Sequence, residues 1–264
     1  MRIATFNLLN GRSPDDETVD VDKLKRAVAA LDADVLALQE VDRDQPRSGR
    51  LDLTALAADA MDAVDHRFAA ALTGPPGEWS GATGDEPEGV PAYGVALLSR
   101  YPVSAWHVVR LPAATRQVPH RPAGRLRLEW VRDEPRVAVL ADIDAPAGAM
   151  RVVATHLSYL PLSSGRQLRR LVRSLGRSVG PTVLAGDLNM SPRRARRITG
   201  MTSLATGLTF PAHAPVVQLD HLLADRPLEV LGSGPARLEI SDHRALVVDL
   251  AVEGQSRKIG SRPS

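Results

Sequence analysis

The sequence predicts a mixed α/β layered domain. Three observations carry this: apolar strand-like runs recur along nearly the whole chain, helical patterns separate some of them, and no regular strand–helix alternation is visible. An eight-fold barrel would require that alternation. In chain order the strand-like runs are "RIATFN" from Arg2, "DVLALQE" from Asp34, "RFAAAL" from Arg67, "YGVALLS" from Tyr93 and "SAWHVVRL" from Ser104. They continue with "RVAVLADID" from Arg136, "RVVATHL" from Arg151 and "TVLAGD" from Thr182. "LDHLLA" from Leu219, "LEVLG" from Leu228 and "RALVVDLAV" from Arg244 complete the series.

Three segments carry apolar residues at helical spacing. "DVDKLKRAVAALDA" has Asp20 or Asp22 as its cap, and "LDLTALAADAMDAV" follows from Leu51. In "SSGRQLRRLVRSLGRSV", Leu168, Leu171, Val172 and Leu175 share one side, and Arg166, Arg169, Arg170, Arg173 and Arg177 form a solvated face on the other. Residues 73–91 are rich in Gly and Pro and read as a long surface loop; loops of that length are uncommon unless functional or disordered. Residues 111–125 form a second, basic irregular stretch, in which His120 lies with Arg116 and Arg121 on a solvated loop. The tail from residue 253 reads as disordered.

Composition excludes several classes. With 44% hydrophobic and 24% charged residues among 264, the chain is ordinary for a globular protein. No apolar run approaches the roughly 18 residues of a membrane span. The chain opens on a strand-like "MRIATFN" rather than a leader pattern, and it holds no Cys, so neither a disulfide framework nor a thiol metal site is expected. A cytoplasmic monomer is the expectation. Lysine occurs only at Lys23, Lys25 and Lys258, so nearly all positive charge is Arg, and the net charge of +2 is small. A nucleic-acid footprint would need those arginines clustered on one face.

The chemistry lies at the ends of the apolar runs. "TVLAG" stops abruptly at Asp187 and Asn189; "RIATFN" ends in Asn7; "DVLALQE" ends in Gln39 and Glu40; "RVVATH" ends in His156. Asp220 and His221 lie in apolar surroundings, and Asp242 and His243 precede "RALVVDL". Turns and caps explain one or two such places and poorly explain six. In open α/β sheets, ligands collect outside strand ends because the strands are rigid and their loops converge. Glu40, Asp187 and Asp242, with the amide oxygens of Asn7 and Asn189, form an oxygen-rich set suited to a hard cation such as Mg²⁺ or Mn²⁺. Neighbouring histidines add proton transfer or phosphate contact, which together is what phosphoester hydrolysis requires.

The ordered series "TFN", "LQEVD", "ALLSRYPV", "ATHLS", "GDLN", "LDH" and "SDH" resembles the endonuclease/exonuclease/phosphatase superfamily from residue 3 to about residue 250. That superfamily includes pancreatic-type deoxyribonucleases, apurinic-site endonucleases, neutral sphingomyelinases and inositol-polyphosphate 5-phosphatases. The resemblance implies a four-layer α/β sandwich, two central mixed β-sheets flanked by helices, over residues 1–252, with the site at one edge. It makes Asn7, Glu40 and Asp242 metal-side residues. Asp187 and Asn189 become the pair that orients or deprotonates the attacking water and contacts phosphate. His243 becomes a catalytic histidine polarised by Asp220, and His156 a second histidine on phosphate or leaving group. Whether Asp187 or His243 is the base stays open at this stage.

Other residues take plainer readings. His221 packs or points aside, while His66, His107 and His213 have no motif around them. Ser99 to Pro102 read as structural, Tyr93 as able to reach the site, and Ser158 and Tyr159 as neighbours of the substrate. Leu9 stands where apurinic-site endonucleases carry a second polar ligand, and "ATHLS" replaces their Tyr-x-x-Asn segment, which argues against abasic-site repair. A secreted deoxyribonuclease would bring a leader and disulfides. Short loops and 3% aromatic residues suggest no membrane-inserting hairpin. The expected function is hydrolysis of a phosphodiester, in nucleic acid, phospholipid or a small diester. A phosphatase of a small phosphorylated metabolite or lipid head group is the alternative, and a non-catalytic binding module on the same scaffold is the reading from another class.

Overall fold

The computed structural model describes residues 1–14, 19–120, 127–146 and 148–251. Arg121 and the tail at 253–264 lie outside the described residues. The first part of the chain runs β1 (Arg2–Asn7), α1 (Val21–Leu31), β2 (Val35–Arg43), α2 (Leu53–Ala60), β3 (Asp65–Thr73), β4 (Ser80–Gly81) and β5 (Ala92–Ser99). It continues with β6 (Val103–Leu111), β7 (Val118–His120), β8 (Glu129–Val131), β9 (Arg136–Ala145), β10 (Gly148–His156), α3 (Pro161–Ser174) and β11 (Thr182–Asp187). The last elements are α4 (Pro192–Thr199), β12 (Thr202–Ser203), β13 (Asp220–Ala224), β14 (Val230–Ala236) and β15 (Ala245–Leu250).

Two large mixed sheets stack face to face. The first has the order β14-β15-β1-β2-β5-β3-β4 and the second β12-β13-β11-β10-β9-β6. The side-chain period of two divides each strand between two layers. Ile3, Val35, Ala37, Val95 and Leu97 face inward from the first sheet to meet Val139, Val152, Ala154, Val183 and Ala185 from the second. The alternate residues Ala4, Phe6, Leu36 and Leu38 pack outward under α1 and α2. Leu140, Val153 and Leu184 do the same beneath α3 and α4. The result is the four-layer α/β sandwich.

Helices α1 and α2 form where their sequences provide caps and an apolar stripe. Of the two cap candidates for α1, Asp20 is the one used: its Oδ1 accepts from Asp22 N at 2.9 Å and Lys23 N at 3.0 Å. Asp52 caps α2 in the same way. Pro161 opens α3 two residues before the sequence pattern begins, since a proline suits the first helical turn, and the helix stops at Ser174. Its four arginines are exposed as expected, as is Arg177 just beyond its end.

Three elements depart from the sequence reading. Helix α4 was not anticipated, because "PRRARRIT" buries only Ala195 and has no apolar stripe to read. Strand β14 extends to Ala236 through "GSGPA", pairing along the edge with β15 where apolar character is not required. The basic stretch at 111–125 contains β7, which pairs with β8 in a small separate hairpin. That hairpin carries an exposed Trp130, so an aromatic projection does exist despite the low aromatic content.

Gly186 shows how tightly the second sheet is built. It pairs with Thr155 one step before the His156–Asp187 end of the β10–β11 ladder, and a Cβ there would meet the Thr155 carbonyl oxygen at 2.0 Å and its carbon at 3.0 Å. Neither atom can yield without displacing the strand. Gly186→Ala should therefore destabilise the protein by about 3 kcal/mol, at the upper end of overpacking effects. Urea unfolding checks this, and a loss below about 1 kcal/mol would contradict the tight approach.

Candidate active site

The inward parity of the strands predicts which polar residues meet. In β1 the inward series Ile3, Thr5 ends at Asn7; in β10 the series Val152, Ala154 ends at His156; in β11 Val183, Ala185 ends at Asp187. Strand β13 runs antiparallel to β11 and places Asp220 opposite Asp187. Each of these side chains continues the layer between the sheets, with polar groups replacing apolar ones at the edge. His221, one residue out of phase, is buried on the other face and bonds the Met190 carbonyl through Nε2 at 2.9 Å. That fits the reading of His221 as a packing residue.

Glu40 reaches the site by a different device. The register of β2 against β5 shifts between Leu38 and Val41, so two residues of β2 oppose one of β5. This bulge places Glu40 at φ 53, in the left-handed region, and redirects its carboxylate into the mouth. Among the described residues nine non-glycine positions have positive φ, and five of them (Leu9, Asn10, Glu40, Asn189 and Ser241) lie around the site. Each departs from the ordinary regions at a cost of roughly 1–3 kcal/mol. Local bonds offset that strain: Asn10 Nδ2 donates to the Glu40 carbonyl at 3.2 Å, and Asn189 N to Asp187 Oδ1 at 2.9 Å. Ser241 Oγ donates to the Asn7 carbonyl at 2.6 Å and accepts from His243 N at 3.0 Å.

The functional groups form one continuous network. Asn7 Nδ2 lies 3.1 Å from Glu40 Oε1 and 3.2 Å from Asp187 Oδ2, while its oxygen accepts from Leu9 N. Asp187 Oδ2 is 3.6 Å from His156 Nε2 and 3.9 Å from His243 Nε2. Asn189 Nδ2 sits 3.2 Å from His156 Nε2 and donates to the Leu157 carbonyl. His243 Nδ1 donates to Asp220 Oδ2 at 2.9 Å, since a carboxylate offers only acceptors, and Asp220 is fully buried. The ring of Phe210 leans on His243 at 4.9 Å between centroids. Asp242 sits close enough to raise the proton affinity of both Glu40 and His243.

Electrostatics follow from burial and neighbours. Burial opposes a charged His243, but Asp220 outweighs it, with Asp187 and Asp242 adding, so its pKa rises to about 9. Burial, then the charges of Arg136 and His243, hold His156 well below the usual imidazole range. Burial and Asp220 push the Asp187 carboxyl up. Glu40 is pushed up mainly by burial and further by Asp242, against the opposing bond from Asn7.

The donor set suits a divalent cation. The charge of Asp242 raises the proton affinity of Glu40, and the Asn7 amide lies between Glu40 and Asp187, so a cation at this edge would relieve the crowding of negative charge. Ligand atoms of Asp187, Asp220 and His243 also lie within 4.8 Å of one another. Oxygen donors without thiols favour a hard ion.

Two arginines at the mouth were not found from the sequence. Arg136 is 5% exposed, pairs with Glu134 at 3.0 Å, and its charge is felt by Glu40, Tyr93 and His156. It opens β9, which runs antiparallel to β10, so its position beside His156 belongs to a strand's beginning rather than its end. Arg47 bonds Asp42 through two nitrogens at 2.8 and 2.7 Å. Tyr93 does reach the site: burial and the charge of Glu40 both raise its proton affinity. Ser158 Oγ donates to Asp133 at 2.6 Å, and Tyr159 is exposed nearby. His66 and His107 lie on β3 and β6 outside this network, and His213 is exposed on a loop.

No helix among the described residues is long and apolar enough to cross a membrane. No curated protein sequence matches the chain. Among solved structures, an endonuclease/exonuclease/phosphatase from Beutenbergia cavernae is 24% identical, covering 96% of this chain and 71% of its own, with a TM-score of 0.70. A mannosyl-6-phosphatase from Bacteroides thetaiotaomicron is 14% identical, covering 95% of this chain and 99% of its own, at 0.61. Sphingomyelinase C from Streptomyces griseocarneus is 15% identical, covering 94% and 98%, at 0.60. These likenesses establish the fold. The family model for the Endonuclease/Exonuclease/phosphatase family matches residues 4–243, and the chain belongs to that family of phosphoric ester hydrolases.

Proposed function

We propose that residues 1–252 form a divalent-metal-dependent phosphodiesterase in which water attacks the phosphorus of a diester. The observation that carries catalysis is the buried Asp220–His243 pair facing Asp187. Glu40 and Asp242 would hold the cation, Mg²⁺ or Mn²⁺, with Asn7 fixing Glu40 through its amide. The cation supplies charge neutralisation at the phosphate and a polarised oxygen. Asp187 and Asn189 orient the attacking water, and its proton passes to the Asp187 carboxylate beside the charged His243 ring. Asp220 holds the His243 tautomer and stabilises the ring when charged. His156, kept neutral by burial and by Arg136, contacts the phosphate or leaving oxygen beside Asn189.

A diester is favoured over a monoester by the charge at the mouth. Arg47 is already matched by Asp42 and Arg136 by Glu134, so neither offers surplus positive charge to a dianion. With Mg²⁺, hydrolysis of bis-p-nitrophenyl phosphate is expected to exceed that of p-nitrophenyl phosphate in kcat/KM. The reverse order would favour the small-metabolite phosphatase, and no turnover of either would favour a binding module.

Activity is expected to disappear in excess EDTA and return with Mg²⁺ or Mn²⁺. Glu40→Gln should abolish metal-dependent turnover while preserving the thermal transition, because it removes one ligand charge at an edge already shaped by the bulge. Wild-type rate in that variant would exclude Glu40 as a ligand.

Asp220→Asn and His243→Ala should each lower kcat by about 10²–10⁴-fold, the range of a general acid–base group. The double variant should lose little more than the worse single one, since groups acting as a unit are non-additive. Losses that multiply would show that the two residues act separately.

A further inference from the structure

Loop 74–91 joins β3 to β5 at the same edge as the catalytic groups, because the first residues of β5 pair with the end of β2 just beyond Glu40. Trp79 comes from this loop, and its ring centroid lies 5.9 Å from that of Tyr93, tilted by 44°. The Arg47 guanidinium sits 5.6 Å from the Trp79 ring and 5.5 Å from the Tyr93 ring. Arg47 is itself fixed by two bonds to Asp42, whose side chain is fully buried and also accepts from Asn10 Nδ2 at 3.2 Å. Asn10 in turn holds the Glu40 backbone. The loop is tied down on both flanks: Gln45 Nε2 donates to the Gly74 carbonyl at 2.9 Å, and an Arg110 nitrogen to the Ala82 carbonyl at 2.8 Å.

These contacts put a rigid, partly buried group of two rings and one guanidinium next to the carboxylate proposed to hold the cation. We infer that Trp79, Tyr93 and Arg47 form a subsite that stacks the nucleobase of a nucleoside phosphodiester beside the scissile phosphate. The inference rests on the phosphodiesterase reading and names the substrate class for it. Bases stack on aromatic side chains and on guanidinium planes, whatever their sequence. A choline head group fits the same face poorly. A quaternary ammonium seeks the face of an aromatic ring, and Arg47 already occupies the cation position on both rings. A small alkyl ester would leave the rings without a partner.

The test compares two synthetic diesters with Mg²⁺, thymidine 5′-p-nitrophenyl phosphate and methyl p-nitrophenyl phosphate, on wild-type protein and on Trp79→Ala and Trp79→Phe. Wild-type is expected to show the lower KM for the thymidine ester. Trp79→Ala should raise that KM about tenfold, in the range of one lost base stack, with kcat and the methyl ester unchanged. Trp79→Phe should recover most of the loss, because a ring is restored. Equal effects on both esters, or none on either, would overturn the subsite and leave Trp79 as packing. Faster turnover of p-nitrophenylphosphorylcholine than of the thymidine ester would overturn it in favour of a phospholipid head group. If neither diester is hydrolysed, the phosphodiesterase reading fails by itself, and calorimetric titration with thymidine 5′-monophosphate decides the subsite: tighter binding to wild-type than to Trp79→Ala supports it, and equal binding ends it.

Discussion

Two hydrogen bonds cross from one sheet to the other at the mouth of the sandwich: His243 to Asp220, and Asn7 to Asp187. Neither partner can follow the other if the sheets slide, since each is anchored at the end of its own strand. Their separation is set by the apolar layer behind them, where Val35, Ala37 and Leu97 meet Val139, Val152 and Val183. Protein interiors pack like molecular crystals and transmit displacement with little compression. The geometry of the proposed site is thus a property of the whole inter-sheet layer, expressed at one edge of it.

Backbone strain is concentrated in the same place. A strand that kept its regular pleat through Gln39 and Glu40 would send alternate residues to opposite layers, and the Glu40 carboxylate would join the outward face packed by α1 and α2. The bulge turns it instead toward Asn7. The left-handed conformations at Leu9, Asn10, Asn189 and Ser241 similarly aim amides and hydroxyls at neighbouring site atoms. Strain of this kind persists only where surrounding structure over-determines it, and here the sheets supply that surrounding.

Much of this arrangement is legible in the sequence, and its limits have physical causes. Asn7, His156 and Asp187 could be read because an apolar run that stops at a polar residue marks a buried strand leaving the core. Asp220 and His243 could be singled out because both adjoin such runs, while their pairing came only from the family resemblance. Arg136 could not be found by that rule, since it begins its strand, and only the antiparallel pairing of β9 with β10 reveals that this beginning lies at the site. Arg47 follows a turn and is placed by its two bonds to Asp42 at the end of β2, a pairing that no apolar pattern marks. Helix α4 and strand β14 lack the apolar periodicity that identifies buried elements, because each buries little. Loop 73–91 was recognisable as long, but not as the carrier of a ring fixed beside Tyr93.

The order in which the chain visits the two sheets has a bearing on its synthesis. Strands β1 to β5 build most of the first sheet, β6 and β9 to β13 build the second, and β14 and β15 return to close the first beside β1. His243 arrives only with this return, immediately before β15, whereas Asp187 and Asp220 are already in place on the second sheet. Chains emerge from the ribosome in order and fold largely from the N-terminal side. A growing polypeptide therefore holds Asp187 and Asp220 without the imidazole that bonds to Asp220, and the cluster closes only when β15 docks against β1.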